Sequence, residues 1–187
     1  MSPCLIKAWK EPRPSHVTRW VAYTYTCGFL FGWHVHEKAS LHFVIPLAIV
    51  ATSSLEDARH YFLLSIVSCY SMFPFLFEPK EYPVKVLLLV THTALMWLGF
   101  SRQFSKGVVQ RVNSKDTAER EGCSLIGWIE VIYLLGMVGV EIWGQFLHPY
   151  FFHDKLPFLP LMLISIYCAM GMIYSWIWQL TRIIRSN

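Results

Sequence analysis

Six apolar stretches divide this chain of 187 residues, and they restrict the solvents in which it can fold. They cover residues 17–33, 39–54, 59–77, 84–100, 124–147 and 156–180. A helix needs about 20 residues to cross the hydrocarbon core of a bilayer. The last four stretches meet that length. The first two are shorter and the second carries Pro46, so they read as short crossings, or one of them as re-entrant. Only 15% of the residues are charged and 55% are hydrophobic, against about 25% charged in a soluble domain. A soluble fold of this size must still cover itself with polar groups, and this chain has too few. The expected fold is therefore all-α, a polytopic transmembrane helical bundle of about six spans.

The basic residues lie between the apolar runs, where topology signals lie. If the N-terminus is cytosolic and all six stretches cross, the cytosolic segments hold Lys7, Lys10, Arg13, Arg19, Arg59, Arg102, Lys106, Arg111, Lys115, Arg120, Arg182 and Arg185. The opposite side holds Lys38, Lys80, Lys85 and Lys155. This asymmetry predicts that both termini are cytosolic. It divides a single transmembrane domain, 1–187, into a basic tether (1–16), four spans (17–100), a cytosolic loop (101–122), then two spans and a tail (123–187). The net charge of +4 thus follows from topology, and no nucleic-acid-binding pattern accompanies it. Residues 1–19 do not show the charged and apolar regions of a cleavable signal peptide. The cysteines, Cys4, Cys27, Cys69, Cys123 and Cys168, are widely spaced and read as small buried hydrophobes.

The chemically dense segment is Trp33-His34-Val35-His36-Glu37-Lys38, at the boundary of the first two spans. Ionisable groups beside hydrocarbon are costly and usually have partners or a task. On a helix, His34, Glu37 and Lys38 would share one face, with His36 pointing elsewhere. Such a face suits an anion, with Lys38 as a point charge and His34 as a donor. Two other readings stand beside it. The segment could be a solvated turn in which Lys38 and Glu37 neutralise each other. It could also be a metal site, although His-x-His with one Glu falls short of the fuller zinc ligand sets.

Glu130 and Glu141, 11 residues apart in the fifth stretch, fall on roughly one helical face. Their favoured role is helix packing inside the bundle. Gly136, Gly139 and Gly171 suit close helix approach. His92, Asp57 and Asp154 read as standing alone and are assigned no chemistry.

The word Phe31-Gly32-Trp33-His34-Val35-His36-Glu37-Lys38, followed by the stretch with Pro46, resembles the signature of the endoplasmic-reticulum glucosyltransferases that use dolichyl-phosphate-glucose, members of the GT-C superfamily. The resemblance continues through Ser71-Met72-Phe73-Pro74-Phe75-Leu76-Phe77, Trp128-Ile129-Glu130 to Gly144, Leu156-Pro157-Phe158-Leu159-Pro160-Leu161 and Ser165-Ile166-Tyr167-Cys168-Ala169. It covers most of the chain from Phe31 onward. The stretch around Glu141 and the Pro-Phe-Leu-Pro entry to the sixth span resemble the branch that adds the second glucose, in α-1,3 linkage.

The resemblance implies a multi-pass enzyme of the endoplasmic reticulum membrane acting in protein N-glycosylation. It implies dolichyl-phosphate-glucose as donor, a glucosylated high-mannose lipid-linked oligosaccharide as acceptor, and neither cofactor nor metal. A β-linked donor giving an α-glucoside inverts, so one carboxylate must take the acceptor proton and cationic groups must stabilise the leaving phosphate. The resemblance implies the second task for His34, His36 and Lys38. Family members are much longer, so the chain corresponds to the C-terminal part of a GT-C fold. The general base is then expected in the N-terminal region, with Glu37 a weak candidate here. The competing expectation is a non-catalytic membrane fragment, or a lipid-binding or assembly subunit.

Overall fold

The computed structural model describes residues 2–10, 12–33, 35–73, 81–112, 126–152 and 156–185. His34, the side chain of Glu37, Lys80, Cys123 and residues 113–122 and 153–155 lie outside them. The described chain is helical: α1 (Ser2–Lys10), α2 (Pro14–Phe31), α3 (Leu41–Ala51), α4 (Leu55–Ser71), α5 (Tyr82–Val112), α6 (Trp128–Ile142), α7 (His148–Phe152) and α8 (Leu159–Arg185). Single turns are added by a 3-10 segment, Glu37–Ser40, and by a π segment, Trp143–Leu147, that joins α6 to α7.

Three helical stretches are long and apolar enough to cross a membrane: Tyr82–Phe104, Trp128–Phe151 and Leu159–Arg185. The α2, α3 and α4 helices, at 18, 11 and 17 residues, fall short of that standard in length or hydropathy. The boundaries also differ from those read in the sequence. Residues 2–10 form a helix where a tether was expected. The α5 helix runs to Val112, so the first half of the expected 101–122 loop is helical. The α4 helix begins at Leu55 rather than near Arg59, because Ser54 caps it. The Ser54 Oγ accepts from the Asp57 amide at 3.2 Å and donates to Asp57 Oδ2 at 2.7 Å, satisfying one of the free donors of the first turn.

The α4 helix is the axis of the bundle. Residues 60–68 are all buried, with α3, α5 and α8 packed around it. By contrast, α3 buries Phe43, Val44, Leu47, Val50 and Ala51 along one stripe and turns Ile45 and Ile49 outward. The α5 and α6 helices expose Val84, Leu87, Leu88, Leu95, Ile132 and Leu135. An outer surface this apolar around an axis carrying Asp57 and His60 is the reverse of a soluble fold, and it is stable where lipid is the outer solvent. Lipid is as apolar as leucine, so packing and polar ties, rather than apolar transfer, hold these helices together.

Two such ties are well defined. Tyr133 Oη donates to the Tyr167 carbonyl at 2.7 Å, and Tyr167 Oη donates to the Tyr133 carbonyl at 2.8 Å. The two rings stack at 4.7 Å, which clasps α6 to α8. Each hydroxyl occupies the space that a glycine leaves open on the facing helix, Tyr133 at Gly171 and Tyr167 at Gly136. A Cβ on Gly171 would lie 2.5 Å from the Tyr133 hydroxyl and 3.1 Å from Val67 Cγ1. Gly171→Ala should therefore destabilise the protein by about 1–3 kcal/mol, read as a lowered midpoint of thermal unfolding in lipid nanodiscs. Gly139, where an added Cβ would meet nothing within 4 Å, should tolerate alanine.

The second tie is a buried polar string. His60 Nε2 and Ser175 Oγ are 2.8 Å apart, Gln179 Nε2 donates to Ser175 Oγ at 3.2 Å and to Thr26 Oγ1 at 3.1 Å, and Thr26 donates to the Ala22 carbonyl. It joins α4, α8 and α2. The His60 ring also stacks on Trp178 at 4.0 Å.

Candidate functional site

The segment between α2 and α3 is fixed at both ends. The α2 helix stops at Gly32, whose amide donates to the Gly28 carbonyl at 2.9 Å. Any Cβ on Gly32 would run into that carbonyl and come within 2.7 Å of Val35 Cγ2, so this close approach needs glycine. Val35 is not helical, His36 follows in extended backbone, and Glu37–Ser40 form one 3-10 turn, closed by the Ala39 amide donating to the His36 carbonyl at 2.9 Å. At the far end the Ser40 and Ser68 hydroxyls meet at 2.7 Å in the interior, pinning the turn to α4. His42 Nδ1 lies 3.1 Å from the Ala39 carbonyl and its ring stacks on Tyr25.

This geometry corrects the helical reading of the segment. No helix runs continuously from residue 34 to residue 38. The register that would align His34 with Glu37 and Lys38 therefore does not apply. His36 and Lys38 are exposed at the head of the turn, with Trp33 exposed beside them. The structure thus brings His36 and Lys38 to one exposed turn, while His34 and the Glu37 side chain fall outside the described residues. An exposed imidazole and an ammonium on a turn anchored at both ends can donate to an anion without first ordering a loop. Among the described residues no three His, Cys, Asp or Glu side chains gather as a metal-ligand group.

Tyr70, two residues beyond Ser68 on α4, donates to Glu141 Oε2 at 2.6 Å. Tyr174 donates to Glu130 Oε1 at 3.3 Å. Each carboxylate of the fifth stretch thus ties α6 to a neighbouring helix. The π segment that starts at Trp143 follows Glu141 closely.

The opposite end of α4 carries a cluster that sequence reasoning missed. Arg19 Nη1 and Nη2 donate to Asp57 Oδ1 and Oδ2, both at 2.8 Å. Arg182 Nη2 lies 3.6 Å from Asp57 Oδ2, and Arg182 Nη1 lies 2.7 Å from Glu56 Oε2. The Arg182 guanidinium sits 5.4 Å over the Trp178 ring. Asp57, read as standing apart, is the hub of α2, α4 and α8.

The described residues form an all-helical bundle with an apolar exterior, buried polar ties and an anchored turn that exposes His36 and Lys38. The sequence profile of the ALG6, ALG8 glycosyltransferase family matches residues 1–179. The chain belongs to that family. It is 65% identical to the dolichyl pyrophosphate Glc1Man9GlcNAc2 alpha-1,3-glucosyltransferase of Arabidopsis thaliana over 98% of its own length and 36% of that protein's. It is 34% identical to the protein of the same name from Mus musculus, over 93% and 31% of the two lengths. A third such protein, from Dictyostelium discoideum, is 32% identical over 85% and 27%. The chain therefore spans about a third of the length of these curated relatives. No solved structure matches it.

Proposed function

We propose that this chain forms the donor-phosphate side of an α-1,3-glucosyltransferase of the endoplasmic reticulum membrane. In this reading the enzyme moves glucose from dolichyl-phosphate-glucose onto a lipid-linked oligosaccharide already carrying one glucose, with inversion. The observation that carries it is the turn at His36 and Lys38, inside the family word and held by Gly32 at one end and Ser40 at the other. As the glycosidic bond breaks, the donor's phosphodiester becomes a phosphomonoester and its oxygens gain negative charge. His34, His36 and Lys38 stabilise that charge as it develops. The base that takes the acceptor proton comes from a part of the enzyme beyond these 187 residues, with Glu37 the weaker candidate. The charge distribution supports six crossings with both termini cytosolic and the His34–Lys38 segment lumenal.

A reconstitution tests this reading. The chain alone and a fusion supplying the remainder of the Arabidopsis relative are placed in vesicles with dolichyl-phosphate-glucose and the monoglucosylated acceptor. The expected result is transfer by the fusion, and photo-labelling of the chain alone by a donor analogue without turnover. Robust turnover by the chain alone would contradict a base supplied from elsewhere. Absence of labelling would contradict the donor-side assignment and favour a non-catalytic fragment.

A further inference from the structure

The α1 helix presents two unlike faces. Cys4, Lys7 and Ala8, three and four residues apart, form the side that packs on the protein. Cys4 is buried against Trp20, and Lys7 Nζ donates to the Ile183 carbonyl at 2.8 Å. Turned away from that side are Leu5, Ile6 and Trp9, at 66%, 56% and 90% exposure. Leu5 and Trp9 are four apart and lie one above the other. A helix that packs on protein with one face and carries three large apolar side chains on the other meets a second apolar medium.

The Lys7 bond fixes the depth at which this happens. Ile183 lies in the last turn of α8, a helix of 27 residues, which measures about 40 Å at 1.5 Å per residue. The hydrocarbon core is about 30 Å thick, so the basic final turn of α8 emerges at headgroup level, and Lys7 holds α1 there. Lys10, Arg13 and Arg185, at the same end of the bundle, are exposed. Residues 1–19 hold four Lys and Arg against one acid, Glu11. Tryptophan beside basic side chains is the composition of a helix lying in the membrane interface.

We propose that α1 is an interfacial helix that binds anionic phospholipid headgroups. Leu5, Ile6 and Trp9 enter the acyl boundary, while Lys10, Arg13 and Arg185 meet the headgroup phosphates and carboxylates. Seated this way, α1 anchors the basic end of the bundle, to which α2 and α8 are both joined.

The experiment places the photoreactive residue p-benzoylphenylalanine at position 9 of the whole 187-residue chain. Trp9 is so exposed that the exchange disturbs no packing. The chain is irradiated in nanodiscs of phosphatidylcholine, alone or mixed with phosphatidylserine, and adducts are identified by mass spectrometry. The expected result is lipid adducts in both discs, with phosphatidylserine over-represented relative to its share. Lys10→Gln should lower that enrichment by roughly fivefold, the worth of one juxtamembrane basic residue. Adducts to polypeptide, or no adducts, would overturn the interfacial placement. Lipid adducts in simple proportion to composition would overturn the anionic-headgroup assignment.

Discussion

Lys38→Ala, introduced into a full-length enzyme carrying this segment, is expected to lower kcat by roughly 30- to 1000-fold, equivalent to about 2–4 kcal/mol for one lost donor to a developing oxyanion. The effect is expected to be large because the proposed site sits beside hydrocarbon, where water competes weakly and each charge interaction is stronger than in bulk solvent. It should fall mainly on kcat. On the proposed reading the donor already carries a negative charge in the ground state, and Lys38 would meet more strongly the charge that appears during bond breaking. His36→Ala should act in the same direction. Ser40→Ala is the informative control. It leaves both donors in place and removes the 2.7 Å pin to Ser68, so it should raise KM and lower kcat modestly. Initial rates with purified donor and acceptor check all three. Wild-type rates for Lys38→Ala would remove this turn from the chemistry.

The positions of the helices were largely legible in the sequence, because hydropathy reports which stretches avoid water, and each of the six apolar runs contains a helix. The roles of those helices were less visible. The α4 helix looks like one span among six, yet it is the buried axis, and the stretch from Tyr61 to Tyr70 did not show it, because nothing local distinguishes a lipid-facing apolar residue from a protein-facing one. The Arg19–Asp57–Arg182 cluster was invisible for a related reason. Its members come from three helices, and no local pattern states that α2 and α8 both meet the start of α4. The Ser54-Leu55-Glu56-Asp57 capping signal was available, and it would have moved the helix start to Leu55. At the candidate site the residue types were legible and the backbone was not. The conditional helical register for residues 34–38 left out Gly32, which ends α2, and β-branched Val35, which is not helical. What remains of that reading is the pair His36 and Lys38 on one exposed turn.

Asp57→Ala is expected to destabilise the bundle by about 3 kcal/mol, toward the lower end of the cost of removing one partner from a buried ion pair. Asp57 is 3% exposed and Arg19 is 16% exposed, so the guanidinium left behind cannot recover full hydration. Arg182, at 34% exposure, turns more easily to water and keeps Glu56 at 2.7 Å, which limits the loss. The substitution also removes the side-chain partner of Ser54 at the start of the helix that every neighbour packs against. In a chain of this size the change corresponds to a fall in unfolding midpoint of roughly 6–12 °C, measured in nanodiscs. The wild-type protein should show a matching pH dependence. Asp57 precedes the apolar stretch that starts at Arg59. Burial pushes its carboxyl upward, but the Arg19 and Ser54 hydrogen bonds and the nearby charges of Arg19 and Arg182 outweigh it and hold the carboxyl below its ordinary value. A carboxyl depressed on folding contributes stability that is fully present above its unfolded pKa of about 3.9 and is lost as pH falls through the lower folded value. Stability should therefore decline below about pH 4 in the wild type, and Asp57→Asn, with nothing to titrate at this position, should lack that share of the decline. A wild-type midpoint for Asp57→Ala would mean that the remaining ties, chief among them the His60–Ser175–Gln179–Thr26 string, suffice to hold α2, α4 and α8 together. In that case Gln179→Leu would become the substitution that separates them.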